Sequence, residues 1–376
     1  MPPSRGAPAQ KLVPSKQEPR DVDPEKFTRA TYFEVPAPSS VAGKMQTNVK
    51  NKESSVRNET RTEHRSVQLR PTTKDGVPER PVHRVRSLGD RLPYFLHFHK
   101  AGGTTLCHYA RVVNKLNSPI RNCNLPGDGP RTLEEGIKGF ANRDLECGKR
   151  MDYLKRHCIE FFASERWLDD TFCAERFLYM TILRDPVKRI ESNCRFEKVQ
   201  PAKALGWLEV THLPPERVYL GTAAVDNFYI RSLCGHEVFH LPAGSINRGH
   251  LDMAKERLHS FEIILILEEL LLGTVQTERV LRWKPPSPDD AQRSWGRGDE
   301  SIRFSDGQRA KLREKNALDV ELYQYAILLS RNITAAVKNT AQDVLFSGPR
   351  KRQAGCGAAF EKWSEAQRRN RNKRRG

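Results

Sequence analysis

The sequence predicts an α/β protein with a central parallel sheet covered by helices on both faces. Three observations carry that prediction. The runs FLYMTILR (177–184) and EIILIL (262–267) have strand length and are too continuously apolar for a surface edge. Segments with helical spacing alternate with these runs along the chain. Between the first such pair lies a tight glycine turn, Lys100-Ala101-Gly102-Gly103-Thr104-Thr105.

Order begins at Tyr94. YFLHFH (94–99) reads as a strand, and the helix after the glycine turn repeats Leu106, Tyr109, Ala110, Val113 and Leu116 on one face. Residues 119–136 are a polar loop, 142–157 a basic and partly helical segment, and CIEFFASE (158–165) a second strand. FLYMTILR is the clearest strand; Arg184-Asp185-Pro186-Val187 ends it and opens a helix through about Phe196. AVDNFYIRSLCG (224–235) reads as a helix closed by Gly235, EVFHL (237–241) as a short strand, and HLDMAKERLHSF (250–261) as a helix feeding EIILIL. A long helix fills 308–339, broken or bent near Asn316.

Charge divides the chain into three parts. Of its 376 residues, 64 are Lys or Arg and 46 Asp or Glu, a net of +18. Residues 1–90 carry 17 basic and 11 acidic residues and 11 of the 24 prolines, which predicts a disordered basic arm. Residues 350–376, a polar basic tail, carry 10 basic and two acidic residues. The body, 91–349, keeps a net of only +4 and is long enough for one large domain. A membrane span is not expected: the most apolar stretch, FEIILILEELLLG (261–273), is too short and contains Glu262, Glu268 and Glu269. No apolar signal region follows the opening MPPSRGAPAQ. Asn58-Glu59-Thr60 and Asn332-Ile333-Thr334 are glycosylation acceptor triplets. The eight cysteines form no CxxC and no zinc-type spacing, so no metal is expected. Disulfides in an oxidising compartment and buried thiols in a reducing one both fit them.

Two turns carry chemistry. In a parallel sheet, a glycine turn between strand and helix sets backbone N–H groups and a helix N-terminus around one point, a geometry that holds phosphate. Lys100 adds a point charge, Thr104 and Thr105 add hydroxyls, and Gly102 and Gly103 permit close approach. An ordinary turn beside a surface lysine is the plain alternative. The lysine precedes the glycines, so this is not a Walker A loop. In RDPVKRIES (184–192), Arg184 ends the best strand, where ligands bind in open parallel sheets. Ser192 lies eight residues further, about two helical turns on. Together they offer a second anion site, unless Arg184 serves only to pair with Asp185 or another carboxylate.

HFHKAGGTTL (97–106) and ILRDPVKRIESNCRF (182–196) resemble the two nucleotide signatures of sulfotransferases that use 3'-phosphoadenosine 5'-phosphosulfate (PAPS). The likeness is nearer to the Golgi carbohydrate sulfotransferases, and DNFYIRSLCG (226–235), HSFEIILILEEL (259–270) and NALDVELYQYA (316–326) support it. The resemblance implies a P-loop, nucleotide-kinase-like fold and transfer of a sulfuryl group from PAPS to a glycan hydroxyl, with no metal. Lys100, Ala101, Gly102, Gly103, Thr104 and Thr105 would surround the 5'-phosphosulfate; Arg184 and Ser192 would hold the 3'-phosphate. His99 stands where many relatives have Pro, and either contacts phosphate or packs. A Golgi lumen is implied as well, although the anchor usual in that family is missing from this sequence.

Lys100 is expected to stabilise the leaving phosphate oxygen. A base must take the acceptor's proton. Glu165, ending the second strand, is the first choice, with His157, Glu160, His97 and His99 as others. Trp167, Trp207, Tyr229 and Trp295 would stack on sugars or else fill core and ordinary surface; Arg195, Lys198 and Lys203 would favour an anionic glycan or form a solvated face. The competing readings are a nucleic-acid-binding protein, from the basic termini, a catalytically inactive sulfotransferase-like module, and a small-molecule kinase. No RNP aromatics or zinc-finger spacing support specific nucleic-acid binding.

Overall fold

The computed structural model describes residues 91–119, 122–125, 147–168, 172–209, 220–285, 298–340 and 356–373. The N-terminal arm, Asn58 and Trp295 lie outside these residues. Four strands, β1 (Leu92–Leu96), β2 (Phe162–Ser164), β3 (Phe177–Leu183) and β4 (Ile263–Ile266), form one sheet in the order β2-β1-β3-β4. Every pairing is parallel, with Leu96 beside Ser164 on one side and beside Thr181 on the other. All seven residues of β3 and all four of β4 are buried. Successive side chains point to opposite faces, so both faces of these strands are covered, as their unbroken apolar runs require.

The connections are helical. β1 leads through the glycine turn into α1 (Gly103–His108), which continues as a π turn, Tyr109–Val113. α2 (Cys147–Arg156) precedes β2, and α3 (Pro186–Glu197) follows β3. Asp185 caps α3 by accepting the Lys188 N–H at 2.9 Å, and Pro186 takes the first turn, where its missing N–H costs nothing. Then come α4 (Pro201–Gly206), α5 (Phe228–Leu233), α6 (His236–Phe239) and α7 (Arg248–His259), which delivers the chain to β4. α8 (Leu270–Leu281), α9 (Asp306–Lys315), α10 (Ala317–Asn339) and α11 (Cys356–Lys373) complete the order. Among the described residues, no helix is long and apolar enough to cross a membrane.

Some elements differ from expectation. EVFHL is a helical turn, α6, rather than a strand: Phe239 is buried against Trp167 and Phe228, with ring centroids 5.1 and 6.1 Å away. A run of five residues is too short for its period to decide the matter. The second strand is only Phe162–Ser164, because Cys158 takes a left-handed φ of 53° and breaks extension upstream. The basic tail also contains an element that its composition does not announce, α11. Phe360, Trp363, Ser364 and Gln367 turn inward at helical spacing, and Trp363 Nε1 donates to Tyr153 Oη at 2.8 Å.

Six cysteines pair as Cys107–Cys123, Cys147–Cys173 and Cys158–Cys356, while Cys194 and Cys234 are buried thiols. The third bond ties the start of α11 to the chain just after α2 and closes a separation of 198 residues.

The break between α9 and α10 is held by Asn316. Its Nδ2 donates to Val225 and Leu312 carbonyls at 2.8 and 2.9 Å, and its Oδ1 accepts the Asn227 N–H at 2.7 Å. Three residues on, the fully buried Asp319 accepts the Tyr229 and Ile230 N–H groups at 2.9 and 3.0 Å. Burial outweighs those hydrogen bonds and pushes the Asp319 carboxyl up to about 6. A carboxyl raised in this way binds its proton more tightly folded than unfolded, so its contribution to stability grows as pH falls from about 7 towards 4. The stability advantage of wild type over Asp319→Asn should therefore widen by roughly 1 kcal/mol between pH 7.5 and pH 5. Denaturant titrations at the two pH values measure this; a constant or shrinking difference contradicts it.

Candidate ligand site at the strand ends

The chain runs from β1 out to β2 on one side and returns to β3 on the other, so the order of strands switches between β1 and β3. The carboxyl ends of two such strands splay their connections apart and leave a crevice. Both sequence-predicted turns open from those ends. The 99–105 turn follows β1, the 184–192 turn follows β3, and Arg184 Nη1 donates to the Lys100 carbonyl at 3.4 Å. Below them Tyr229 braces the second turn: its hydroxyl accepts the Arg184 N–H at 3.0 Å and donates to the Arg184 carbonyl at 2.7 Å. Ser192 lies partly exposed within α3.

The first turn is tight for identifiable reasons. Lys100 takes a φ of 65° and Gly102 a φ of 101°, where a side chain is disfavoured. A Cβ on Gly102 would also lie 2.7 Å from Leu267 Cδ1. A Cβ on Gly103 would lie 1.9 Å from His97 Cδ2. The second glycine thus answers to the buried His97 ring beneath the turn, a demand of packing where the sequence alone suggests an approaching ligand. Ala101 and Thr105 are buried within the turn, and the Thr104 hydroxyl donates to Asn122 Oδ1 at 3.2 Å.

Behind the turn lies a buried polar cluster. Glu165, just past β2, is 3% exposed. Its Oε1 accepts from His99 Nδ1 at 2.8 Å and lies 3.7 Å from His97 Nε2; its Oε2 accepts from Asn124 Nδ2 at 2.8 Å. Burial pushes this carboxyl up, but His97, His99 and Asn124 together outweigh it and hold it at about 2. Burial lowers both histidines, against the opposing pull of Glu165. The consistent protonation is an ionised Glu165 receiving Nδ1–H from a neutral His99, which leaves Nε2 as the basic nitrogen of that ring. His99 Nε2 faces Glu197 Oε1 at 4.0 Å.

Lys100 Nζ stands 4.0 Å from the centroid of Phe196, whose ring is 48% exposed. Burial lowers the Lys100 ammonium, Glu165 and Glu197 oppose that, and Arg184 adds to it. Lysine, arginine, histidine and carboxylate therefore meet at one mouth.

Other expected residues fall elsewhere. His157 and Glu160 precede β2 and so lie at the opposite end of the sheet, where Glu160 Oε2 accepts the Asn117 N–H at 2.9 Å. Trp167 is buried among His236, Phe239 and His240, and Tyr229 is wholly buried, so neither offers a sugar platform. Trp207 packs against a second apolar cluster beneath α3. Arg195 pairs with Glu191 at 3.6 Å, whereas Lys198 and Lys203 are exposed.

Asn122, Asn124, Phe196 and Glu197 enter the site without having been expected there. Both asparagines flank Cys123, and the Cys107–Cys123 bond pins them beside α1. Fold and site together define an α/β protein in which two basic turns meet at the switch point of a parallel sheet. No family model matches this chain, and no curated protein matches it.

Proposed function

We propose that the protein transfers a sulfuryl group from PAPS to a hydroxyl of a carbohydrate acceptor, and that it folds as a sulfotransferase. The observation that carries this reading is the convergence of two cationic turns on one crevice, joined by Arg184 and the Lys100 carbonyl. A donor with phosphates at both its 5' and 3' ends matches two such elements at neighbouring strand ends. In this reading Lys100, Ala101, Gly102, Gly103, Thr104 and Thr105 take the 5' side, and Arg184 and Ser192 the 3'-phosphate. Lys100 offsets charge on the departing phosphate oxygen, and the N-terminus of α1 faces the sulfuryl oxygens.

The base follows from proton affinities. A carboxylate held at about 2 accepts a proton poorly, whereas burial lowers His99 and favours its neutral imidazole, the form that can act as a base. His99 therefore takes the acceptor's proton at Nε2, while Glu165 orients the ring and stabilises the imidazolium that forms. Three disulfides fit an oxidising compartment such as the Golgi lumen.

The test is nucleotide choice. Adenosine 3',5'-bisphosphate should bind more tightly than adenosine 5'-monophosphate by about 1.5–3 kcal/mol, the worth of charge-assisted contacts to the 3'-phosphate. Arg184→Ala should erase most of that gap. Equal affinities in titration calorimetry would overturn the assignment of Arg184 and Ser192, and a preference for ATP would favour a kinase.

A further inference from the structure

The aromatic rings of this chain are packed away with one exception. Among the described residues, Phe196 is the only Phe, Tyr or Trp that is exposed. A single exposed apolar side chain is ordinary, and its position is what sets this one apart. Phe196 stands on the last turn of α3, four residues beyond Ser192 and so on the same stripe of that helix. Its ring meets that of His99 edge-on, with centroids 5.6 Å apart and planes inclined at 69°. Trp167 and Tyr229, expected to stack on sugars, are buried, which leaves Phe196 as the ring that the mouth offers to a ligand.

That ring is covered on one face. Lys100 Nζ lies 4.0 Å from its centroid, and the same ammonium is the one that the transfer reading gives to the donor's phosphate. The two positions compete. A charge-assisted hydrogen bond to a phosphate oxygen is stronger than a cation–π contact at an open site, so a bound phosphate takes the ammonium from the ring. The Lys100 backbone is held at a φ of 65° with its carbonyl on Arg184, so the flexible side chain alone has to swing. Donor binding thereby bares the ring face.

We propose that Phe196 is the ring on which an acceptor sugar stacks, and that Lys100 covers it until a bound phosphate draws the ammonium away. The identity of the donor rests on the transfer reading; the uncovering of the ring by a phosphate does not. One face of a pyranose carries C–H bonds, and the negative face of an aromatic ring attracts them as it attracts an ammonium. A sugar seated there has its hydroxyls beside His99, the group that takes the acceptor's proton. The donor's adenine is the rival occupant, but the ribose separates it from the 5'-phosphate that Lys100 meets. The consequence is an order of binding. The donor enters first and the sugar second, and each raises the affinity of the other by the same factor.

The experiment follows Lys100 by NMR in the full chain, with lysines isotope-labelled at Cε and the Lys100 signal assigned through Lys100→Arg. Protons above an aromatic ring resonate upfield, so the free protein should show a displaced Lys100 signal that Phe196→Ala returns to the ordinary lysine position. Adenosine 3',5'-bisphosphate should return it as well, and so should inorganic pyrophosphate, used as a second anion. Saturation transfer then probes sugars, with methyl galactoside, methyl glucuronide and methyl N-acetylglucosaminide at millimolar concentration. At least one should be saturated on its C–H face, about 2–5-fold more strongly with the nucleotide bound than without it, and none in Phe196→Ala. That variant should bind the nucleotide as wild type does, which also shows that it is folded. A Lys100 signal still displaced with either anion bound would overturn the proposal, and so would sugar saturation that is absent or indifferent to the nucleotide. A loss of about 10-fold in nucleotide affinity in Phe196→Ala would give the ring to adenine and overturn it too. If Lys100 leaves the ring and a sugar stacks, but the nucleotide shows no preference for the 3'-phosphate, the platform stands and the transfer reading falls.

Discussion

Lys100→Ala should lower turnover by about 10²–10³-fold and leave the protein folded. The carbonyl of Lys100, not its side chain, receives Arg184, so the joint between the two turns survives the truncation. The side chain's own contact is with Phe196, a ring already 48% exposed, so little buried surface is lost with it. What disappears is a cation at the mouth of the crevice, whose attraction grows as the departing phosphate oxygen gains charge. An effect that strengthens along the reaction appears in kcat, whereas a contact equal in ground and transition states appears in KM. Lys100→Arg should rescue only in part, because a planar guanidinium cannot replace a compact ammonium at a turn whose φ is 65°. The measurements are kcat and KM on an accepted glycan with PAPS, alongside thermal unfolding. Normal turnover in the alanine variant would remove Lys100 from the chemistry, and an unfolded variant would mean that its role is structural.

The sheet is legible in the sequence because its inner strands are buried on both faces and therefore read as unbroken apolar runs. Phe177–Leu183 and Ile263–Ile266 are the clearest instances. The two turns are legible for a related reason: each is punctuation that local sequence must supply, glycines after β1 and Asp-Pro after β3. The cluster behind them is legible only in part. Glu165 and His99 each stand out alone, but nothing in their 66-residue separation says that they share a hydrogen bond. Asn122 and Asn124 reach the site through the pairing of Cys107 with Cys123, and connectivity among eight cysteines does not follow from spacing. Glu197 is set by where α3 stops, and helix ends are what periodicity fixes least. Basic composition masks α11, since its inward residues, Phe360, Trp363, Ser364 and Gln367, include only two large apolar groups.

Glu165→Gln should reduce turnover by about 10²–10⁴-fold and, more diagnostically, move the acidic limb of the pH profile. The substituted amide keeps an oxygen for His99 Nδ1–H but loses the charge that stabilises the imidazolium once His99 has taken a proton. In the native protein burial lowers His99, and the hydrogen bond and charge of Glu165 both oppose that lowering. Removing the charge therefore lowers His99 further. Activity that requires a neutral imidazole is lost as pH falls through the His99 pKa, so the acidic limb should shift to lower pH in the glutamine variant while the maximum rate drops. Were Glu165 itself the base, the same substitution would abolish the limb, and His99→Gln would retain substantial turnover. Stability offers a second readout with a defined sign. A carboxyl held at about 2 contributes stability above its ordinary range near 4.5 that is lost as pH falls towards 2. Wild type should therefore lose stability faster than Glu165→Gln as pH drops from about 5 to 3. Adenosine 3',5'-bisphosphate should bind both proteins alike, since Glu165 lies beneath the turn and touches it through His99. An unshifted acidic limb together with an active His99→Gln variant would return the proton to a group other than this pair.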